Sequence, residues 1–237
     1  MPISTKPQGP TENRLLAALP DEVFALLLPH LQQISFALGG VVYESSERMD
    51  HLYFPTTCIV SLLYTMSDGA TAEMGLVGNN GVVGVALFMG GNTVPNRALA
   101  QVAGEAFSVP APVLLEEFKR GGPCQLLLLR YTQALITQIS QTAVCNRLHS
   151  VEQRLCRWLL LTHDRVRSAE LLLTQEFIAN MLGGRRESVT KAAGRLQKAG
   201  LIRYVRGHIT ILDRQGLEAA SCECYQVVKR EFDRLLA

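Results

Sequence analysis

The sequence has no long apolar run. Its longest uncharged apolar-rich stretch, Gly81 to Gly91, falls far short of the roughly 20 residues that a membrane-spanning helix needs. The opening stretch, Met1 to Asn13, is polar, carries three prolines and has no apolar h-region. No secretory signal is therefore expected, and the chain reads as cytoplasmic and free of membrane contact. No two of the six cysteines have Cys-x-x-Cys spacing: they are Cys58, Cys124, Cys145, Cys156, Cys222 and Cys224. In a reducing compartment they are expected to be free, partly buried thiols. Cys222 and Cys224, if helical, would point about 200° apart and would not pair. A Ser-His-Asp set, paired carboxylates, a phosphate loop and a metal-spaced His/Cys group are all missing. Gly81-Val-Val-Gly84 lacks the helix-opening context of a nucleotide fingerprint. These absences set aside an enzyme, a catalytic residue and a metal centre. There is no internal repeat, and no low-complexity tract beyond the polar tail.

What is present is nearly half apolar over 237 residues, enough for a sizeable core and about two domains. The net charge of +2 hides an asymmetry. From Leu148 onward there are 15 Lys/Arg against 10 Asp/Glu, whereas the first 147 residues hold 8 against 11. A mildly acidic front and a basic back fit a sensing half joined to a nucleic-acid-binding half.

The stretch from Thr174 to Leu212 carries the clearest signal. Thr174 is placed to cap a first helix, with Glu176 at the positive end of its dipole. Phe177, Ile178, Met181 and Leu182 form its inward face. Gly183-Gly184 supplies a tight turn. A second helix then runs from about Arg185 to Ala199, with Gly200 at the C-terminal cap. At 100° per residue, Val189, Ala192 and Leu196 share one side of it, and Arg186, Glu187, Thr190 and Lys191 the other. A polar face of this kind suits the DNA major groove. Arginine donates twice to guanine, glutamate accepts from cytosine, and lysine reaches guanine or phosphate. Two short strands, Leu201–Val205 and His208–Leu212, follow around Arg206-Gly207. They make a wing that would bring Arg203, Arg206 and His208 to backbone phosphates. The arrangement predicts a winged helix-turn-helix. The DNA-contacting set expected is Thr174, Arg185, Arg186, Glu187, Ser188, Thr190, Lys191, Arg195 and Arg206.

Upstream, Asn13 to Gln33 reads as a helical lead-in. From Ile34 to Val109 short strands alternate with glycine-rich turns: 52–54, 58–64, 72–77, 98–102 and 106–109. Their spacing argues a β-sandwich, barrel or jelly roll. Pro112 to Phe118 returns to helix, and a long helix is expected from Cys124 to about Asn146. Leu128, Tyr131, Leu135, Ile139 and Thr142 recur on it at three- and four-residue steps, a stripe suited to pairing with its twin in a homodimer. Another amphipathic helix, Val151 to Val166, carries the sole tryptophan. A short link through Ser168 leads to the helix-turn-helix, and one or two helices follow from Leu217 to Leu236.

Taken together, the chain resembles the cyclic-AMP receptor protein/FNR family of bacterial transcription regulators. The carrying residues are Thr174-x-x-x-Ile178-Ala179-x-x-Leu182-Gly183, Arg186-Glu187-Ser188-Val189-Thr190-Lys191 and Leu196-x-x-x-Gly200-Leu201-Ile202. The resemblance implies an α+β chain: a cyclic-nucleotide-binding-like β-roll (double-stranded β-helix or jelly roll) over 1–122, a dimerisation helix over 123–147 and a winged helix-turn-helix over 148–237. It implies double-stranded DNA and RNA polymerase as partners, a palindromic TGTGA-like site, and base contacts from Arg186, Glu187 and Lys191. Two departures stand out. Lys191 replaces the usual arginine, giving a single-point rather than forked contact. Arg185 takes a position that often carries a small capping side chain.

The family's phosphate-binding cassette is degenerate here. It pairs glycine-glutamate with arginine-serine or arginine-threonine about ten residues on. The matching positions are Gly84, Val85, Asn96, Arg97 and Ala98. Val85 removes the ribose acceptor, and the phosphate arginine is either replaced by Asn96 or shifted to Arg97, with Ala98 at the hydroxyl position. Cyclic AMP is not expected to bind. A small-molecule effector at these residues, an anion held by Arg97, or a β-roll that only dimerises or docks proteins remain the alternatives. With no cysteine before Cys58, the family's N-terminal iron–sulfur cluster is not expected either. His30, His51 and His149 are the histidines that a haem would draw on.

Overall fold

The computed structural model describes residues 9–166 and 170–236. The first eight residues and the link at Ser168 lie outside the described residues. The lead-in is a 3-10 turn followed by α1 (Arg14–Ala17) and α2 (Asp21–Leu27). Asn13 anchors it. Its side chain accepts from the amides of Leu15 and Leu16 and donates to the carbonyls of Pro55 and Gly81. One buried amide thus caps a helix and fixes it to the sheet beyond.

Seven strands then form the β-roll: β1 (Gln32–Phe36), β2 (Val41–Tyr43), β3 (His51–Pro55), β4 (Ile59–Thr65), β5 (Thr71–Val77), β6 (Arg97–Val102) and β7 (Gly104–Pro110). They pair antiparallel in two sheets, ordered β1-β7-β3 and β2-β6-β4-β5. Five strands stand where the alternation places them. The first two do not, because β1 begins at Gln32, inside the expected lead-in, and β2 is only three residues long. Leu52, Phe54, Val60, Leu63, Ala98 and Val109 are fully or almost fully buried in the core.

Helix α3 (Ala111–Arg120) closes the roll, and α4 (Gly122–Leu148) leaves it as a helix of 27 residues. Next come α5 (Val151–His163), opened by a Ser150/Gln153 capping box, and β8 (Glu170–Leu172). The remainder is α6 (Gln175–Met181), α7 (Arg186–Lys198), β9 (Ile202–Val205), β10 (His208–Ile211), α8 (Arg214–Ala220) and α9 (Cys224–Leu236). β8 adds to the expected hairpin, giving a three-stranded sheet ordered β8-β10-β9. Among the described residues no helix is long and apolar enough to cross a membrane.

The expected dimer stripe on α4 is corrected by the fold. Leu128, Tyr131 and Leu135 are buried inside their own chain. Ile139 packs against the core beside Gly75 of β5, and Thr142 accepts a hydrogen bond from Arg157 of α5 at 2.7 Å. Tyr131 meets Phe232 of α9 edge to face, and a methyl added at Gly81 would lie 2.5 Å from its hydroxyl oxygen. A three-and-four period marks any buried helix face, whichever partner covers it. Here β5 and α9 cover it. The side left uncovered is a second stripe, Leu126, Leu129, Ile136, Val144 and Leu148, all exposed.

Candidate nucleic-acid interface

Thr174 caps α6 as its sequence requires, its hydroxyl oxygen accepting from the Phe177 amide at 3.1 Å. Gly183, at φ +57°, turns the chain after Leu182, and Gly184 N–H donates to the Ala179 carbonyl at 2.9 Å. Helix α7 then sits on Val189, Ala192, Ala193 and Leu196, all buried. Its outer face is open. Arg185, Arg186, Glu187, Thr190, Lys191 and Arg195 are exposed, and Ser188 is half-buried.

Arg185 takes the N-cap position and makes no side-chain cap, so the first amides of α7 are left to another acceptor. Thr190 stands 2.7 Å from Gln175 Oε1 and 2.9 Å from the Arg186 carbonyl, which joins the two helices of the motif across their outer face. Arg195, one turn beyond Lys191 on the same helix, reaches back to Glu152 of α5 at 3.4 Å. The wing turn is two residues with left-handed backbone, Arg206 at φ +51° and Gly207 at φ +85°. Both central residues of a type I′ hairpin take this geometry. Arg206, Arg203 and His208 are exposed around that turn.

The cassette positions are occupied by protein groups. Asn96 is buried and donates to the Tyr43 hydroxyl at 2.7 Å, while burial pushes that phenol up to about 12. Arg97 pairs with Glu44 at 3.0 Å, and Ala98 is fully buried. Gly84 is left-handed, at φ +103°, and Val85 opens a 3-10 turn behind it. His30 is exposed and His51 half-buried on β3.

The DNA-binding half is not free of the roll. Trp158 of α5 donates its indole N–H to Glu73 of β5 at 3.0 Å, and Gln101 of β6 donates to Thr162 of α5 at 3.0 Å. Arg154 donates to the Leu182 carbonyl at the end of α6. Arg165, also buried, donates to Asn80, Leu161 and Gln138 and lies over the Phe232 ring. Desolvation by burial brings that guanidinium down to about 10.

The family description of a Crp-like helix-turn-helix domain matches residues 153–220, and that of a cyclic nucleotide-binding domain matches residues 33–120. The chain belongs to the Crp/Fnr family. It is a transcription regulator with a helix-turn-helix DNA-binding domain. A curated relative, the global nitrogen regulator of Synechocystis, is 24% identical over 214 residues, covering 86% of this chain and 94% of that one. The fold is shared with a putative crp/fnr-family transcriptional regulator from Eubacterium rectale at TM-score 0.68 and 19% identity, covering 89% of this chain and 98% of that one. FixK2 from Bradyrhizobium japonicum matches at TM-score 0.67 and 18% identity, covering 81% and 98%.

Sequence reasoning missed one grouping. Cys145, Cys222 and Cys224 are not scattered thiols. They form a small buried cluster of their own, and His149 stands among them. Cys222 precedes α9, which starts at Cys224, so the helical geometry that separates the two does not apply. The available signals were Cys145-x-x-x-His149 at the end of one helix and Cys222-x-Cys224 at the start of another, 77 residues apart.

Proposed function

We propose that the chain acts as a homodimer, laying α7 of each subunit into successive major grooves of a palindromic site. The observation that carries this is the open outer face of α7. Arg186, Glu187 and Lys191 stand exposed there beside a wing tipped by Arg206. Family likeness supports half-sites of the TGTGA type about 34 Å apart, center to center. The second copy would pack along the exposed stripe of α4, where Leu129 and Ile136 lie one heptad apart. Arg186 and Glu187 read bases; Arg206, Arg185 and Thr174 hold phosphates; Ser188 and Thr190 brace the motif. RNA polymerase is the downstream partner that a regulator of this type engages, in the cytoplasm.

The β-roll does not take cyclic AMP in this reading. Val85 offers no ribose acceptor, Asn96 is held by Tyr43, and Arg97 already faces Glu44. This favours a signal other than a cyclic nucleotide, or a roll that serves as platform.

The contact roles are tested by alanine substitution, with binding followed on the chosen site, on single-base variants and on random duplex. Arg186→Ala and Glu187→Ala should each cost roughly 1–3 kcal/mol at one base pair and relax preference there. Arg206→Ala should weaken every duplex alike and flatten the salt dependence. Equal losses on all duplexes for all three variants would remove the assigned roles.

A further inference from the structure

The Cys145, His149, Cys222 and Cys224 ligand atoms all lie within 4.8 Å of one another. Cys145 Sγ and Cys222 Sγ are 3.5 Å apart, and Cys224 Sγ is 3.5 Å from His149 Nδ1. The sulfur pair is well beyond a disulfide bond of about 2.05 Å. A tetrahedral zinc ion, at about 2.3 Å from sulfur and 2.0–2.1 Å from nitrogen, separates its ligand atoms by roughly 3.6–3.8 Å. The four atoms thus stand near the corners of one such ion, and small side-chain rotations close the rest. Three thiolates and an imidazole are the donors that a structural zinc site uses.

Two further features fit a ligand set rather than plain packing. The three thiols are almost fully buried and form a cluster apart from the main hydrophobic core. His149 turns Nδ1 toward Cys224, and its other nitrogen, Nε2, lies 3.4 Å from a Glu223 carboxylate oxygen. A carboxylate on the far ring nitrogen fixes the tautomer and aims the lone pair of a metal-binding histidine.

We propose that these four residues bind one zinc ion, which staples the end of α4 to the head of α9. The pairs Cys145/His149 and Cys222/Cys224 stand on either side of the whole winged helix-turn-helix in the chain. The ion would fix the point where that unit leaves the long helix and the point where it returns. Binding to the folded state alone would add stability.

The test uses the full chain purified under reducing conditions without added chelator. Elemental analysis should find about one zinc per chain. Replacement by cobalt should give the intense charge-transfer bands of thiolate–cobalt bonds. Cys222→Ser/Cys224→Ser should lose the metal and Cys124→Ala should keep it. Metal-stripped wild type, checked for fold by circular dichroism, should rebind zinc against a chromophoric chelator and melt several degrees lower until it does. Full zinc retention in the double variant would overturn the proposal. So would stripped, folded wild type that ignores added zinc, a Cys145–Cys222 disulfide in the reduced preparation, or iron or copper in place of zinc at these thiols.

Discussion

Glu73 is a carboxyl without solvent. One oxygen accepts the Trp158 indole N–H, and the other lies 2.5 Å from Ser61 Oγ, which is itself 2.6 Å from Gln101 Oε1. A single hydroxyl proton cannot serve two acceptors. If Glu73 is protonated, it donates to Ser61, Ser61 donates to Gln101, and Gln101 donates to Thr162, so every contact holds a proton. Burial agrees, lifting this carboxyl from 4.5 to about 7 against the hydrogen bonds of Ser61 and Trp158 and the charges of Arg157 and Arg165. The folded chain therefore binds a proton that the unfolded chain has released over this range. The contribution is complete below pH 4.5 and is lost as pH rises through about 7. Glu73→Gln should flatten that part of the stability–pH curve, worth roughly 3 kcal/mol. Denaturant melts at pH 5 and pH 8 check it, and an unchanged slope in the variant would contradict the assignment. Little of this was legible in advance. Ser61, Glu73 and Gln101 sit on strands whose alternation shows a polar face, but only the docking of α5 makes that face an interior.

At the scale of elements, α4 carries the main lesson. The apolar period along Leu128, Tyr131 and Leu135 was read correctly as a packing face and assigned to the wrong partner. The partner, α9, lies about a hundred residues downstream, and local periodicity carries no record of it. The two faces of α4 should now separate in experiment. Leu135→Ala should cost about 2–5 kcal/mol of folding stability through a core cavity, with the oligomeric state unchanged. Ile136→Glu, on the exposed stripe, should leave the folded protomer intact and shift it from dimer to monomer in sedimentation equilibrium. A dimer that survives Ile136→Glu and dissociates with Leu135→Ala would restore the first assignment. The helix-turn-helix, by contrast, was legible almost residue by residue. Its cap, glycine turn, apolar triad and wing turn are all local signals, and Thr174, Gly183, Val189 and Arg206-Gly207 answer to each. The third wing strand, β8, was not, because a short leucine run beside a linker gives no alternation to read.

For the whole molecule, one surface joins the β-roll to the DNA-binding half. Trp158, Thr162 and Arg165 hold the helices of the DNA-binding half against β5, β6 and the turn at Asn80. Arg214 binds Asp164 at 2.6 Å and Tyr225 at 2.8 Å, tying α8 and α9 to the same helix, α5. Repacking of this surface would carry a change in the roll to α7, as a shift between two populated arrangements. Val85 leaves the cassette without the ribose acceptor that a cyclic nucleotide would need. On this reading the protein recognises a palindrome as a dimer without a cyclic nucleotide. The most direct measurement is selection of bound sequences from random duplexes by the purified protein at fixed salt, with no ligand added. An inverted repeat with TGTGA-like arms one helical turn apart should be recovered. Recovery of unrelated sequences without two-fold symmetry, or recovery only when a cyclic nucleotide is supplied, would contradict it.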